Sequence, residues 1–198
     1  MTILAYIHGF NSSPLSQTYL RLSDELRTKY NFTECVSLSY NPFDADNAYA
    51  KLTSQVEELL KTDTDVIFIG SSLGAFWAEI LAMVYHAECI LINPSINPSI
   101  SLQKYIGVNE NYVTKVRTVL ESQDCATYCK YEEIHKACRR TVIVGMKDDI
   151  VDPYQTIAFY HSRGRIVKLE NMGHRVEDIA PIINIIIETI NNFSDENL

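Results

Sequence analysis

No stretch of the chain stays apolar over the length that a membrane span needs. Met1 to Phe10 enters an apolar run without a basic segment or a small-residue cleavage pattern, so no signal peptide is expected. Positive charge is in deficit. The 198 residues carry 17 Lys plus Arg against 25 Asp plus Glu, a net charge of −8, which argues against a surface that tracks nucleic-acid phosphates. Cysteine is sparse and odd in number: Cys35, Cys89, Cys125, Cys129 and Cys138 are scattered. They fit reduced thiols in a cytoplasmic setting better than a disulfide framework. In that setting sequons such as those at Asn11 and Asn31 have no use. Cys125, Cys129 and Cys138 with His135 have the composition of a zinc site, but there is no C-x-x-C pair and zinc ligands usually come in two close couples. Small buried side chains in a lid are the better reading, and no metal is expected. A phosphate loop, a dinucleotide fingerprint, a long-range repeat and a low-complexity tract are also missing.

What is present is the material for one compact domain over residues 1–198. With 46% hydrophobic residues, a chain of this length can bury roughly 70% of the surface its unfolded form exposes, so it needs no staples. Short β-branched runs recur at Ile3–Ile7, Cys35–Ser39, Val66–Ile69, Cys89–Ile92, Thr141–Val144 and Ile166–Leu169; they read as buried strands. Helical spacings lie between them, as in Leu15, Tyr19, Leu22, Leu26 and in Ala48, Leu52, Val56, Leu59. Leu73–Tyr85, Pro153–Ser162 and Ile179–Ile190 continue the alternation. Alternating strands and helices imply a three-layer α/β/α sandwich with a parallel sheet and right-handed crossovers. One segment, Ser95 to Arg139, is too long for a crossover. Its apolar residues are interleaved with polar ones, and two or three short helices forming a cap are expected there.

The sharpest signal is Gly70-Ser71-Ser72-Leu73-Gly74, which leaves the strand Val66–Ile69 and opens the next helix. A G-x-S-x-G elbow in that context holds its serine on a tight, strained turn, and the flanking glycines avoid steric clash. Ser72 is therefore the candidate nucleophile. The N–H of Leu73 falls at a helix start, where it can point at a developing oxyanion. Ser71 is read as a support residue.

The chain resembles an α/β-hydrolase and, within that superfamily, the small YqiA-like esterases. The resemblance runs nearly end to end. It is carried by Tyr6-Ile7-His8-Gly9-Phe10-Asn11-Ser12-Ser13-Pro14, by Gly70 to Gly74, by Asn93-Pro94, by Gly145-Met146-Lys147-Asp148 and by Gly173-His174, each after a strand. It implies a reduced α/β-hydrolase fold of about six parallel strands in the order 2-1-3-4-5-6, with the cap at about 95–139 above the serine. It also implies carboxylesterase activity on short acyl esters without metal or organic cofactor.

A serine nucleophile needs a base, and the base needs an acid to hold its tautomer. The chain order Ser, acid, His of these hydrolases selects Asp148 and His174. Asp149 and Asp152 compete for the acid's role, although Asp152 before Pro153 also reads as a helix N-cap. His86 and His161 lie toward helix ends and His135 in the insertion, whereas His174 lies just past the last strand. The resemblance assigns the second oxyanion donor to the N–H of Phe10. It also makes His8, Gly9, Asn11, Asn93 and Pro94 substrate-contacting candidates, with His8 supporting the oxyanion loop. The cap's tyrosines and aliphatic residues imply a modest, partly apolar pocket. Phe76 and Trp77 are expected to pack. The expected partner is a small acyl ester; a thioesterase on the same residues and a catalytically idle binding protein on the same scaffold are the rivals.

Overall fold

The computed structural model describes residues 2–30, 34–61, 65–134 and 137–196. Six parallel strands form the main sheet: β1 (Thr2–Ile7), β2 (Cys35–Leu38), β3 (Asp65–Ser71), β4 (Glu88–Ile92), β7 (Arg139–Gly145) and β8 (Arg165–Leu169), in the order β2-β1-β3-β4-β7-β8. The expected order of the parallel strands is the observed one. In register, Ile7 of β1 lies opposite Gly70 of β3, and Ser71 of β3 opposite Ile92 of β4. These pairings bring the ends of the central strands to one edge, where the sequence motifs sit.

Residue alternation along β1 feeds two separate cores. Ala5 and Ile7 face α2 (Ala45–Leu60), α3 (Leu73–Tyr85) and α7 (Pro153–Tyr160); Leu4 and Tyr6 face α1 (Gln17–Tyr30) and α8 (Ala180–Glu196). The period-two pattern thus requires a helical layer on each side of the sheet. α3, the helix after the elbow, is buried on nearly all of its surface, as expected of a helix wedged between the sheet and a further layer.

That further layer is the insertion after β4, and it differs from the helices-only expectation. It holds α4 (Pro98–Ser101), a 3₁₀ turn (Gln103–Tyr105), an antiparallel hairpin of β5 (Gly107–Glu110) and β6 (Arg117–Leu120), then α5 (Ser122–Ala126) and α6 (Cys129–Glu132). The hairpin strands are four residues each, too short and too polar to produce a periodic signal. Aromatic packing fastens the insertion to the body: the Trp77 ring lies 5.7 Å from that of Tyr128 and 5.1 Å from that of Tyr131. Phe76 and Trp77 do pack, as their spacing implied. A polar tie adds to this, Tyr131 Oη donating to Asp46 at 2.7 Å, and within the insertion the Glu132 carboxylate joins α6 to α4 by accepting from Ser99 N and Oγ at 2.7 and 2.8 Å.

The described cysteines are free thiols. Cys89 Sγ of β4 donates to Arg139 O at 3.7 Å, and Cys125 is buried while Cys129 is exposed. His135 and the Asn31 sequon lie outside the described residues. Among the described residues no helix is long and apolar enough to cross a membrane.

Candidate active site

Ser72 stands at the turn from β3 to α3 with φ 55° and ψ −121°, a conformation that costs a non-glycine residue on the order of 1–3 kcal/mol. The surroundings hold it there. Its N–H donates to Ile92 O at 2.9 Å, and its carbonyl accepts from Ala75 N at 3.0 Å and Ser95 N at 3.1 Å. The elbow glycines are steric requirements. A Cβ on Gly70 would collide with the Gly74 carbonyl, and one on Gly74 with the carbonyls of Ile7 and His8 at the end of β1. Leu73 opens α3, so its N–H has no acceptor within the helix.

On the far side of β4 the loop after β7 presents Asp148. One carboxylate oxygen accepts from Ile150 N and Val151 N, both at 2.8 Å, and the other lies 2.8 Å from His174 Nδ1. The Asp148 side chain is 1% exposed, whereas that of His174 retains 19% exposure, so the carboxylate is shielded from water and the imidazole keeps one side open. Asp149 is exposed on the cavity wall. Asp152 N-caps α7 through Tyr154 N and Gln155 N at 2.8 and 3.2 Å. Of the three aspartates, Asp148 is the one hydrogen-bonded to His174.

Asn93 holds the His174 loop. Fully buried and in the left-handed region at φ 45°, it donates from Nδ2 to Gly173 O at 2.9 Å and to His174 O at 3.3 Å, and accepts from Gly145 N at 2.7 Å. Its side chain therefore joins the end of β7 to the loop after β8. Asn93 and Pro94 are not among the residues lining the cavity. The resemblance makes Asn93 a substrate-contacting candidate, but its amide turns into the protein.

The cavity is about 1320 Å³ and is lined by Ser72, His174, Gly9, Phe10 and Leu73. It exceeds the modest pocket expected, because it runs beyond the cap to the start of α1. Of the first-loop candidates, Gly9 reaches it and His8 and Asn11 do not. Asn11 is buried and donates to Asn109 of the hairpin at 3.1 Å, tying the loop to the cap. His8 stacks on Tyr40 with centroids 4.6 Å apart, and Tyr40 Oη donates to His8 O at 2.8 Å. Tyr40 is a support residue for which the sequence offered no signal.

His8 Nδ1 lies 2.9 Å from Gly9 O and so donates to it, leaving Nε2 buried without a partner. Burial lowers the pKa of His8 from 6.5 to about 4, since a second ring proton would point into protein with no acceptor. Between those values the unfolded chain binds a proton that the folded one refuses. Stability present above pH 6.5 is therefore lost as pH falls toward 4, by on the order of 3 kcal/mol in full. Urea unfolding at pH 7 and pH 4.5 should show a larger loss for wild type than for His8→Asn; equal losses would contradict this role of His8.

Comparison with known proteins bears on the family and the fold. The sequence model of the uncharacterised protein family UPF0227 matches residues 3–191. The chain belongs to this family. Among UPF0227 relatives, one from Shewanella sediminis is 26% identical over 159 residues, covering 79% of this chain and 80% of that protein. The YcfP protein of Escherichia coli O9:H4 is 23% identical over 184 residues, covering 90% and 93%. UPF0227 takes the α/β-hydrolase fold in this member, because the structure of α/β-hydrolase domain-containing protein 10 from mouse superposes with a TM-score of 0.65 at 19% identity, covering 98% of this chain and 90% of that one. A structure from the metagenome-derived lipolytic enzymes LipS and LipT gives a TM-score of 0.75 at 14% identity, covering 96% of this chain and 94% of that one. Est1E from Butyrivibrio proteoclasticus, also solved with ferulic acid bound, gives 0.71 at 15% identity, covering 98% and 87%.

Proposed function

We propose that the protein is a serine esterase that hydrolyses carboxylic esters through an acyl-enzyme. The observation that carries this reading is the Asp148–His174 hydrogen bond of 2.8 Å beside a cavity that also receives the strained Ser72. An Asp-held imidazole with one open edge serves as a general base, and a serine on a rigid elbow serves as its nucleophile. In the first step Ser72 Oγ forms a bond to the ester carbonyl carbon while His174 Nε2 takes the hydroxyl proton. The N–H groups of Leu73 and Phe10 receive the oxyanion. Each such donor is worth on the order of 3 kcal/mol of barrier. Collapse breaks the carbon–alcohol bond, with His174 returning its proton to the leaving alcohol. Water then repeats the sequence on the acyl-enzyme and restores Ser72.

Intact-mass analysis after incubation with a fluorophosphonate tests this directly. Wild type should gain one label, and Ser72→Ala and His174→Ala should gain none. Wild type without label and without turnover of nitrophenyl esters would end the proposal and favour a binding protein on the hydrolase scaffold.

A further inference from the structure

The cavity lining has a cap side and an α1 side, two arms that differ in chemistry. Toward the cap its walls are mainly apolar and aromatic: Phe10, Leu102, Tyr105, Tyr112, Val113 and Ile150 outnumber Ser95, Ser101 and Lys104. The Phe10 and Tyr105 rings pack 5.4 Å apart and form part of this wall. Toward α1 the lining is more polar: the hydroxyl residues Tyr6, Ser16 and Thr18 stand with Gln17, Glu170 and Asn171, among the apolar Leu169, Met172 and Val176. Arg21 lies beside them and donates to Glu177 O at 3.0 Å.

The proposed reaction assigns the arms. His174 must deliver its proton to the leaving alcohol, so the alcohol lies on the His174 side of the serine. The loop that carries His174 continues through Val176, Glu177 and Asp178 into the wall of the hydroxyl arm. Phe10, whose amide is assigned to the oxyanion, opens the aromatic arm, and the acyl group therefore points toward the cap.

Charge narrows the alcohol further. The lining has four cations, Arg21, Lys104, Lys147 and Arg175, and four carboxylates, Asp149, Glu170, Glu177 and Asp178. Each cation is already engaged: Arg21 by Glu177 O, Lys104 by Ile150 O, Lys147 by Asn171 Oδ1, and Arg175 over the Tyr112 ring. With no surplus of positive charge, and a chain of net charge −8, the site does not suit a polyanionic leaving group such as a phosphate ester or a coenzyme thioester. Hydroxyl donors and acceptors in a charge-balanced wall suit a neutral polyol.

We infer that the natural substrate class is an ester of an apolar or aromatic acid with a neutral, hydroxyl-rich alcohol such as a sugar. The acyl group sits under the cap, and the alcohol sits against Tyr6, Ser16 and Thr18. This inference rests on the serine-esterase reading.

Steady-state kinetics on one acyl group with three leaving groups tests it: the 3-phenylpropanoyl ester of glucose, the methyl ester, and the coenzyme A thioester. The glucose ester should exceed the methyl ester in kcat/KM by at least about tenfold, the scale of two retained hydrogen bonds. Thr18→Val should lower that ratio about threefold to tenfold, the scale of one. Tyr6→Phe should lower it in the same direction, which keeps the test available if either variant folds poorly. Turnover of all three without preference for glucose, or with preference for the thioester, overturns the inference and leaves the esterase reading standing. Absence of both turnover and fluorophosphonate labelling overturns the two together.

Discussion

Asp148→Asn is expected to lower kcat for ester hydrolysis by about 10⁴-fold while leaving the fold intact. The reason lies in how the carboxylate is held. One oxygen accepts the N–H groups of Ile150 and Val151, and the other faces His174 Nδ1. In the variant the amide oxygen must stay with the two backbone donors, since an NH₂ group there would leave both unsatisfied. The NH₂ group then faces His174 and requires Nδ1 to act as an acceptor. That moves the ring proton to Nε2, the atom that has to take the proton of Ser72. Shape and backbone contacts survive; the tautomer does not. Turnover of nitrophenyl acetate and urea midpoints measured on both proteins check this, and a loss smaller than about tenfold would remove Asp148 from the acid's role.

The second large effect is expected at a residue outside the cavity. Asn93→Gly keeps the backbone comfortable at φ 45°, because glycine takes that conformation freely, and removes only the side-chain clip. Gly145 N, Gly173 O and His174 O each lose their bond to the amide. The three losses should together cost on the order of 4 kcal/mol of stability, at about 1–3 kcal/mol for each buried group left without a partner. The His174 loop then keeps the bond from Lys147 N to Met172 O at 3.0 Å but loses the clip at Gly173 and His174 themselves, and a displacement of about 1 Å at the imidazole is enough for a 10²-fold fall in kcat. KM should move little, since Asn93 does not line the cavity. A variant that unfolds more easily but keeps full kcat would show that the clip serves stability alone.

These two residues mark how far the chain can be read without its structure. Ser72 was legible because the elbow is a local device: a strained serine between two close backbones needs Gly70 and Gly74, and five consecutive residues record that need. His174 was legible from its position after the last strand together with the resemblance. Asp148 was legible only as one of three aspartates within five residues. Which of them faces the histidine depends on where the strand end aims its side chain, and contacts from Ile150, Val151 and His174 settle it. For Asn93 the resemblance implies substrate contact, a role that its buried amide does not fill.

Local sequence pattern dictates the layer architecture and the elbow. Period-two and period-3.6 patterns and short turn motifs are local in the chain, and they specify each element before any element meets another. Tertiary structure decided the rest. It built a hairpin into the cap from strands too short to have a period, turned Asn93 inward, buried His8 with one nitrogen unpaired, and opened a cavity between the cap and α1. Each of these outcomes depends on which distant segment occupies the neighbouring space. A residue's own chemistry does not contain that information; packing supplies it.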